Sequence, residues 1–104
     1  MIHSRTSRGF DKITFDDLYR HSCSIQKSSI ASRDAIWFGI DSAEPQVMAS
    51  EAASVGIQTE ATNGWVPYPI PDNVLLSTRM HLSREQVMEL IPILQNFVDT
   101  GDIE

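Results

Sequence analysis

The stretch Thr78–Gly101, TRMHLSREQVMELIPILQNFVDTG, changes its period at Ser83. Before that serine the chain alternates: Val74, Leu76, Thr78, Met80 and Leu82 fall on one side, and Leu75, Ser77, Arg79 and His81 on the other, the pattern of a half-buried strand. After it, Val87, Leu90, Ile91, Leu94, Phe97 and Val98 recur at helical spacing. Ser83 and Gln86 form an S-x-x-Q capping box, Glu85 suits the positive end of the helix dipole, and Gly101 supplies a left-handed stop. The expectation is a strand over Val74–Leu82 followed by a helix from Arg84 to about Thr100. Pro92 has no N–H to give the Met88 carbonyl, which predicts a kink or a break there. The apolar stripe represents on the order of 10 kcal/mol of gross burial, so it needs a sheet to cover.

Two earlier segments supply that sheet. Asp34–Asp41, DAIWFGID, places Ile36, Phe38 and Ile40 on one face, with Ala35, Trp37 and Gly39 on the other. Ser22–Ser28, SCSIQKS, alternates Cys23, Ile25 and Lys27 against Ser22, Ser24, Gln26 and Ser28. The short connection SIASR between them implies an antiparallel pair. Ile13–Tyr19, ITFDDLY, is ambiguous between a strand and a helical turn. Residues 1 to 11 have no apolar period and read as a flexible N-terminal arm, leaving residues 12 to 104 as a single domain.

Residues 42 to 64 contain no Lys or Arg and are rich in Ala, Ser, Thr, Glu and Gly, so a long connection with a short strand near Gln46–Ala49 is expected. Pro67, Pro69 and Pro71 then impose an extended path, with Trp65, Tyr68 and Ile70 as its anchors. The predicted fold class is α+β: a small antiparallel β-sheet of three to four strands with one C-terminal amphipathic helix packed on one face.

Composition bounds the function. With 104 residues, 41% apolar and 21% charged, the chain suits one globular core. One cysteine, Cys23, rules out an internal disulfide, and no apolar run is long enough for a secretory core or a membrane span, so a cytoplasmic protein with no membrane partner is expected. The net charge of −6 argues against unspecific binding to a phosphate backbone. The charge is also uneven. Residues 1 to 33 carry six Lys/Arg against three Asp, giving +3, whereas residues 34 to 104 carry two against eleven Asp/Glu, giving −9. The acidic portion is either solvated surface or a patch that steers toward a basic protein.

If Ile25, Ile36, Phe38, Ile40, Leu76 and Met80 line the helix side of the sheet, the other side shows Ser22 and, beside it, Ser24, Gln26, Trp37, Ser77, Arg79 and His81. Those six residues are the candidate binding site: an aromatic plate, a guanidinium fork and short hydrogen-bonding groups. Two readings of this face stay open. It is free for a partner, or residues 42 to 64 fold over it and make Trp37 part of the core.

Catalytic and metal chemistry are not expected. His21, Cys23 and His81 lack the paired spacing of a zinc site. Cys23 and His81 are the one nucleophile–base pairing of note, but alternation puts them on opposite faces. Asp16 and Asp17 form an acid pair with no third partner, which usually marks a turn. No phosphate loop, dinucleotide fingerprint or H-E-x-x-H is present, and no cofactor is expected.

The pieces CSIQKSS, AIWFGID and RMHLSREQV followed by ELIPILQNFVDTG resemble a family of small phage- and prophage-borne proteins, in which a strand ending in R-M-H-L leads into an amphipathic helix ending in T-G. The likeness covers residues 22 to 41 and 79 to 101. It implies a non-enzymatic role of the kind small acidic phage proteins frequently have, binding and blocking a host protein, defence nucleases included, sometimes by mimicking nucleic-acid charge. The basic N-terminal third departs from a pure mimic. The alternative expectation is a nucleic-acid or nucleotide binder that stacks a base on Trp37 and meets phosphate with Arg79. A homodimer is compatible with either, because an open antiparallel sheet has edges to pair.

Overall fold

The computed structural model describes residues 1–104, which form two compact units: Met1–Asp41 with Thr78–Glu104, and Ser42–Ser77. The fold class is α+β, with two sheets rather than one. In the first unit the strands are β1 (Ile2–Arg5), β2 (Asp11–Asp16), β3 (Ser22–Lys27) and β4 (Ala35–Ile40). β5 (Gln46–Met48) and β6 (Trp65–Pro67) belong to the second unit, and β7 (Arg79–Ser83) and helix α1 (Arg84–Thr100) return to the first. All pairings are antiparallel, and the large sheet has the order β1-β2-β3-β4-β7.

The sheet therefore has five strands, not three or four, and part of the difference lies in residues 1 to 11. They are an edge strand and its turn rather than a free arm. Ile2–Arg5 pairs with Asp11–Thr14 through a tight connection at Thr6–Phe10. There the Thr6 N–H donates to the Phe10 carbonyl (2.8 Å), the Gly9 N–H to the Thr6 carbonyl (2.9 Å) and the Phe10 N–H to Thr6 Oγ1 (3.1 Å). Gly9 has φ 85°, the left-handed position that closes such a loop. All four β1 residues are exposed, and a strand with no buried face leaves no alternation to read.

β2 and β3 are joined in the same way. The Asp17 N–H donates to the His21 carbonyl (3.0 Å), the Arg20 N–H to the Asp17 carbonyl (3.0 Å) and the His21 N–H to Asp17 Oδ1 (2.8 Å). Arg20, with φ 66°, occupies the position that Gly9 holds in the first loop. The acid pair therefore divides: Asp16 ends β2, and the Asp17 carboxylate holds the turn.

The register keeps the two faces apart as alternation predicts. Across the sheet, Ile13 pairs with Ile25 and Ile25 with Phe38, which pairs with Met80; Cys23 pairs with Ile40, and Ile36 with Leu82. Phe15 meets Phe38 edge-on with ring centroids 6.2 Å apart. The opposite face carries Ser24, Gln26, Trp37, Gly39, Arg79 and His81.

β7 is shorter than its apolar pattern suggests. It begins at Arg79, and Val74–Ser77 have no strand partner: the Val74 N–H closes a turn onto the Pro71 carbonyl (3.0 Å), and Leu75 is 88% exposed. Leu76 and Ser77 therefore leave their expected places on the sheet.

α1 starts where the capping box predicts. Ser83 Oγ accepts from the Gln86 N–H (3.2 Å), and Gln86 Oε1 accepts from the Ser83 N–H (2.9 Å). At the other end Gly101, φ 82°, returns its N–H to the Phe97 carbonyl (2.8 Å). The helix continues through Pro92 without a break. The expected packing of α1 on a sheet face is not found. Its contact with the sheet is at β7, the strand it grows from, and none of its residues is buried. The join explains this, since β7 ends at Ser83 and α1 begins at Arg84 with no connecting residue, whereas strand–helix loops commonly use about 2–6 residues. With Ser83 both the last strand residue and the N-cap, the chain has no room to reverse over its own sheet.

The expected long connection carries its short strand near Gln46–Ala49, as β5, and more structure besides. β5 pairs with β6, and a 3₁₀ helix over Ala49–Val55 follows β5. Gly56, φ 80°, ends that helix, while Ala52 and Val66 form its small buried core. The Ala49 N–H donates to the Gly64 carbonyl and the Tyr68 N–H to the Pro45 carbonyl, both at 2.9 Å. Trp65, expected as an anchor, is 64% exposed; β6 is held by its pairing with β5.

Candidate functional site

Five of the six predicted site residues share the polar face of the large sheet. Gln26, Trp37 and His81 lie side by side across β3, β4 and β7, and Ser24, Gly39 and Arg79 form the neighbouring row. Ser77 is not among them; it lies in the Ser42–Ser77 unit, outside β7.

Aromatic and cationic groups meet at Trp37. The His81 ring stands at 69° to the indole with centroids 4.2 Å apart, and Arg79 Cζ lies 5.7 Å from the indole centroid, within cation–π range. Gly39 makes this arrangement possible. It sits opposite Arg79 with φ 154°, and a Cβ there would lie 2.5 Å from the Thr78 carbonyl oxygen and 3.0 Å from Arg79 Cα. A bare backbone at this point lets β7 approach β4 closely.

Asp41, one residue beyond β4, is the hub of the adjoining row. Ser24 Oγ donates to its Oδ1 (2.6 Å) and Ser22 Oγ to its Oδ2 (2.9 Å), while Gln26 Nε2 donates to Ser24 Oγ (3.0 Å). Arg79 adds a longer contact, with Nη2 3.4 Å from the Asp41 carbonyl and Nε 4.0 Å from its carboxylate. Partial burial opposes the charge on Asp41, but the Ser24 and Ser22 hydroxyls outweigh it, helped by the charges of Arg79 and Lys12. The carboxyl therefore titrates below its ordinary range. Asp41 was legible in principle: it follows Trp37 and Gly39 at a spacing of two, and so continues their face past the strand end.

The face is graded in exposure. Ser24 is fully buried, Gln26, Trp37 and Arg79 are half-buried, and His81 is exposed. Its closed end is a satisfied polar network, since no buried side-chain nitrogen or oxygen lacks a partner. Its open end is the His81 edge of the aromatic cluster.

Cys23 projects from the other face, buried beside Phe15 and Ile40, away from His81. Burial pushes its thiol up in pKa, and the charges of Asp17 and Asp41 add to this, so thiolate chemistry is disfavoured. His21 is engaged at the β2–β3 turn, its Nδ1 3.2 Å from Asp17 Oδ2. No group of three His, Cys, Asp or Glu side chains has metal-binding geometry. No helix is long and apolar enough to cross a membrane.

Compared with protein-family models, curated proteins and solved structures, the chain matches none.

Proposed function

We propose that the chain is a non-enzymatic binding protein that engages and blocks a host protein, in the manner of the small phage-borne proteins its motifs resemble, and that it does so in the cytoplasm. A defence nuclease is the class of target the resemblance implies, and the chain's acidity beyond residue 33 would steer it toward a basic partner at long range, not at the contact surface itself. The contact surface is the exposed edge of the Trp37, His81 and Arg79 cluster, backed by Gln26 and Ser24.

The observation that carries this reading is the pre-assembly of that cluster. His81 and Arg79 already sit against the indole, and Arg79 is turned toward Asp41. An aromatic and arginine anchor held in place by its neighbours loses little rotamer freedom when a protein surface closes on it. The same geometry weighs against the nucleic-acid alternative. A base stacking on Trp37 at the side of His81 and Arg79 would have to displace them, and a phosphate at Arg79 would have Asp41 beside it. The buried, high-pKa Cys23 supports the non-enzymatic part of the reading.

The test compares the wild-type chain with Trp37→Ala as bait in lysate of the host bacterium. One protein retained by the wild type at low salt and lost by the variant, with the variant still folded by far-UV circular dichroism, is the expected result. Equal retention by both, or retention of nothing at low or high salt, would refute it. Quenching of Trp37 by single-stranded DNA or nucleotides, measured with Trp65→Phe, would transfer the face to the alternative.

A further inference from the structure

The sequence predicts that the apolar face of the large sheet and the apolar stripe of α1 cover each other; within one chain they meet only at the root of α1, where Val87, Met88 and Ile91 share a groove with Ile36 and Leu82. Met88, Ile91, Leu94, Phe97 and Val98 are between 54% and 75% exposed, Met80 on the sheet is 55% exposed, and of the apolar side chains paired across that face only Cys23 is buried. A soluble monomer rarely leaves an apolar patch of more than a few hundred Å² open. We infer that a second copy of this chain provides the cover: two copies exchange their C-terminal helices, each laying α1 across the Ile25/Phe38/Met80 face of the other about a two-fold axis.

Three features select this occupant. The first is dimension. A 17-residue helix is about 25 Å long, and a five-stranded sheet is about 20 Å across, so one helix spans one face. The second is area. At about 100 Å² of open apolar surface for each of the exposed side chains just named, one helix-on-sheet contact buries on the order of 600 Å². The reciprocal pair then buries on the order of 1,200 Å², the lower end of the range for a stable interface.

The third is charge. Residues 1 to 33 as a whole carry +3, although Arg5 and Lys27 on the apolar face are each paired with an aspartate, Asp11 at 3.0 Å and Asp34 at 2.8 Å. Residues 84 to 104 carry one Arg against five Asp/Glu, giving −4, and no basic residue offsets the dipole in the last turn of α1. The missing connector between β7 and α1 is itself the condition under which an element is exchanged between copies instead of folding back. A groove of about 470 Å³ at the root of α1, lined by Ile36, Leu82, Val87, Met88 and Ile91, is where the partner's helix would seat.

The experiment is sedimentation equilibrium of the full chain, paired with directed cross-linking. The expected mass is twice 11.7 kDa, falling to the single-chain mass for Phe97→Asp and for Met80→Lys with far-UV circular dichroism retained. In a Cys23→Ser background, copies carrying only Phe97→Cys are mixed with copies carrying only Met80→Cys and treated with a short bismaleimide. Cross-linked mixed dimers are expected. A single-chain mass up to about 100 μM, or a dimer unaffected by both charge substitutions, would overturn the inference. So would cross-links formed only between two copies that both carry Phe97→Cys, which mean helix-on-helix pairing, an intrachain product from the double variant, or an open ladder of higher oligomers.

Discussion

Replacing Arg20 with glycine is expected to raise stability, and the chain contains its own control. The loops Thr6–Phe10 and Asp17–His21 make the same three hydrogen bonds, with a side-chain oxygen of the first residue accepting from the last N–H in each. They differ at the left-handed position, which is Gly9 in one and Arg20 in the other. A non-glycine residue in that conformation costs about 1–2 kcal/mol, and glycine's greater freedom in the unfolded chain returns about 0.5–1 kcal/mol. The Arg20 side chain makes no hydrogen bond or ion pair that the exchange would remove. Arg20→Gly should therefore stabilise the protein by about 0.5–1 kcal/mol, raising the melting temperature by about 2–8 °C at this chain length. The reverse exchange, Gly9→Ala, should destabilise by about the same amount or more. Urea unfolding of both variants, with the slope unchanged, measures the two effects. A loss of stability in Arg20→Gly, or a Gly9→Ala variant as stable as the parent, would show that the loops are not energetically equivalent.

Two further predictions concern the polar face. Gly39→Ala should destabilise by about 2–4 kcal/mol, since the new Cβ meets the Thr78 carbonyl and the backbone keeps a φ that alanine resists; a thermal midpoint equal to the parent's would contradict this, and near-UV circular dichroism should report the disturbed Trp37. Asp41→Asn tests the acid dependence. The folded-state pKa of Asp41 lies below its unfolded value, so its contribution is complete above about pH 5 and is lost as pH falls through the folded value. Asp17, Asp34 and Glu85 are lowered too and shape the same acid limb in both proteins. The stability gap between wild type and Asp41→Asn, read from urea midpoints, should therefore narrow as pH falls below about 5, and a gap that stays constant would refute the role given to Asp41.

Alternation alone separates Ile25, Ile36, Phe38, Ile40 and Met80 from Ser24, Gln26, Trp37, Arg79 and His81. A one-residue shift of register would reverse every one of them, so the pattern carries its own check. It fails where burial is absent. Ile2–Arg5 forms a strand with no apolar side to betray it, and Val74–Ser77 has the apolar pattern but no neighbouring strand to pair with. Asp41 was missed for a different reason. Its part in the site depends on Ser22 and Ser24 arriving from β3, and that meeting is set by the β3–β4 register rather than by any local motif.

The helix shows most clearly what a periodic pattern encodes. Its stripe correctly reports a surface that water disfavours, and its capping box correctly reports where it begins, yet neither says which chain supplies the cover. That is decided at Ser83, where a residue extended enough to end β7 (φ −79°, ψ 169°) also caps the helix by accepting the Gln86 N–H, leaving no peptide free to turn. A few flexible residues at this point would let the same stripe reach the same sheet within one copy. Because the two signals abut, the local interactions that make α1 easiest to foresee also hold it away from its own sheet, and burial of the stripe passes from folding to association.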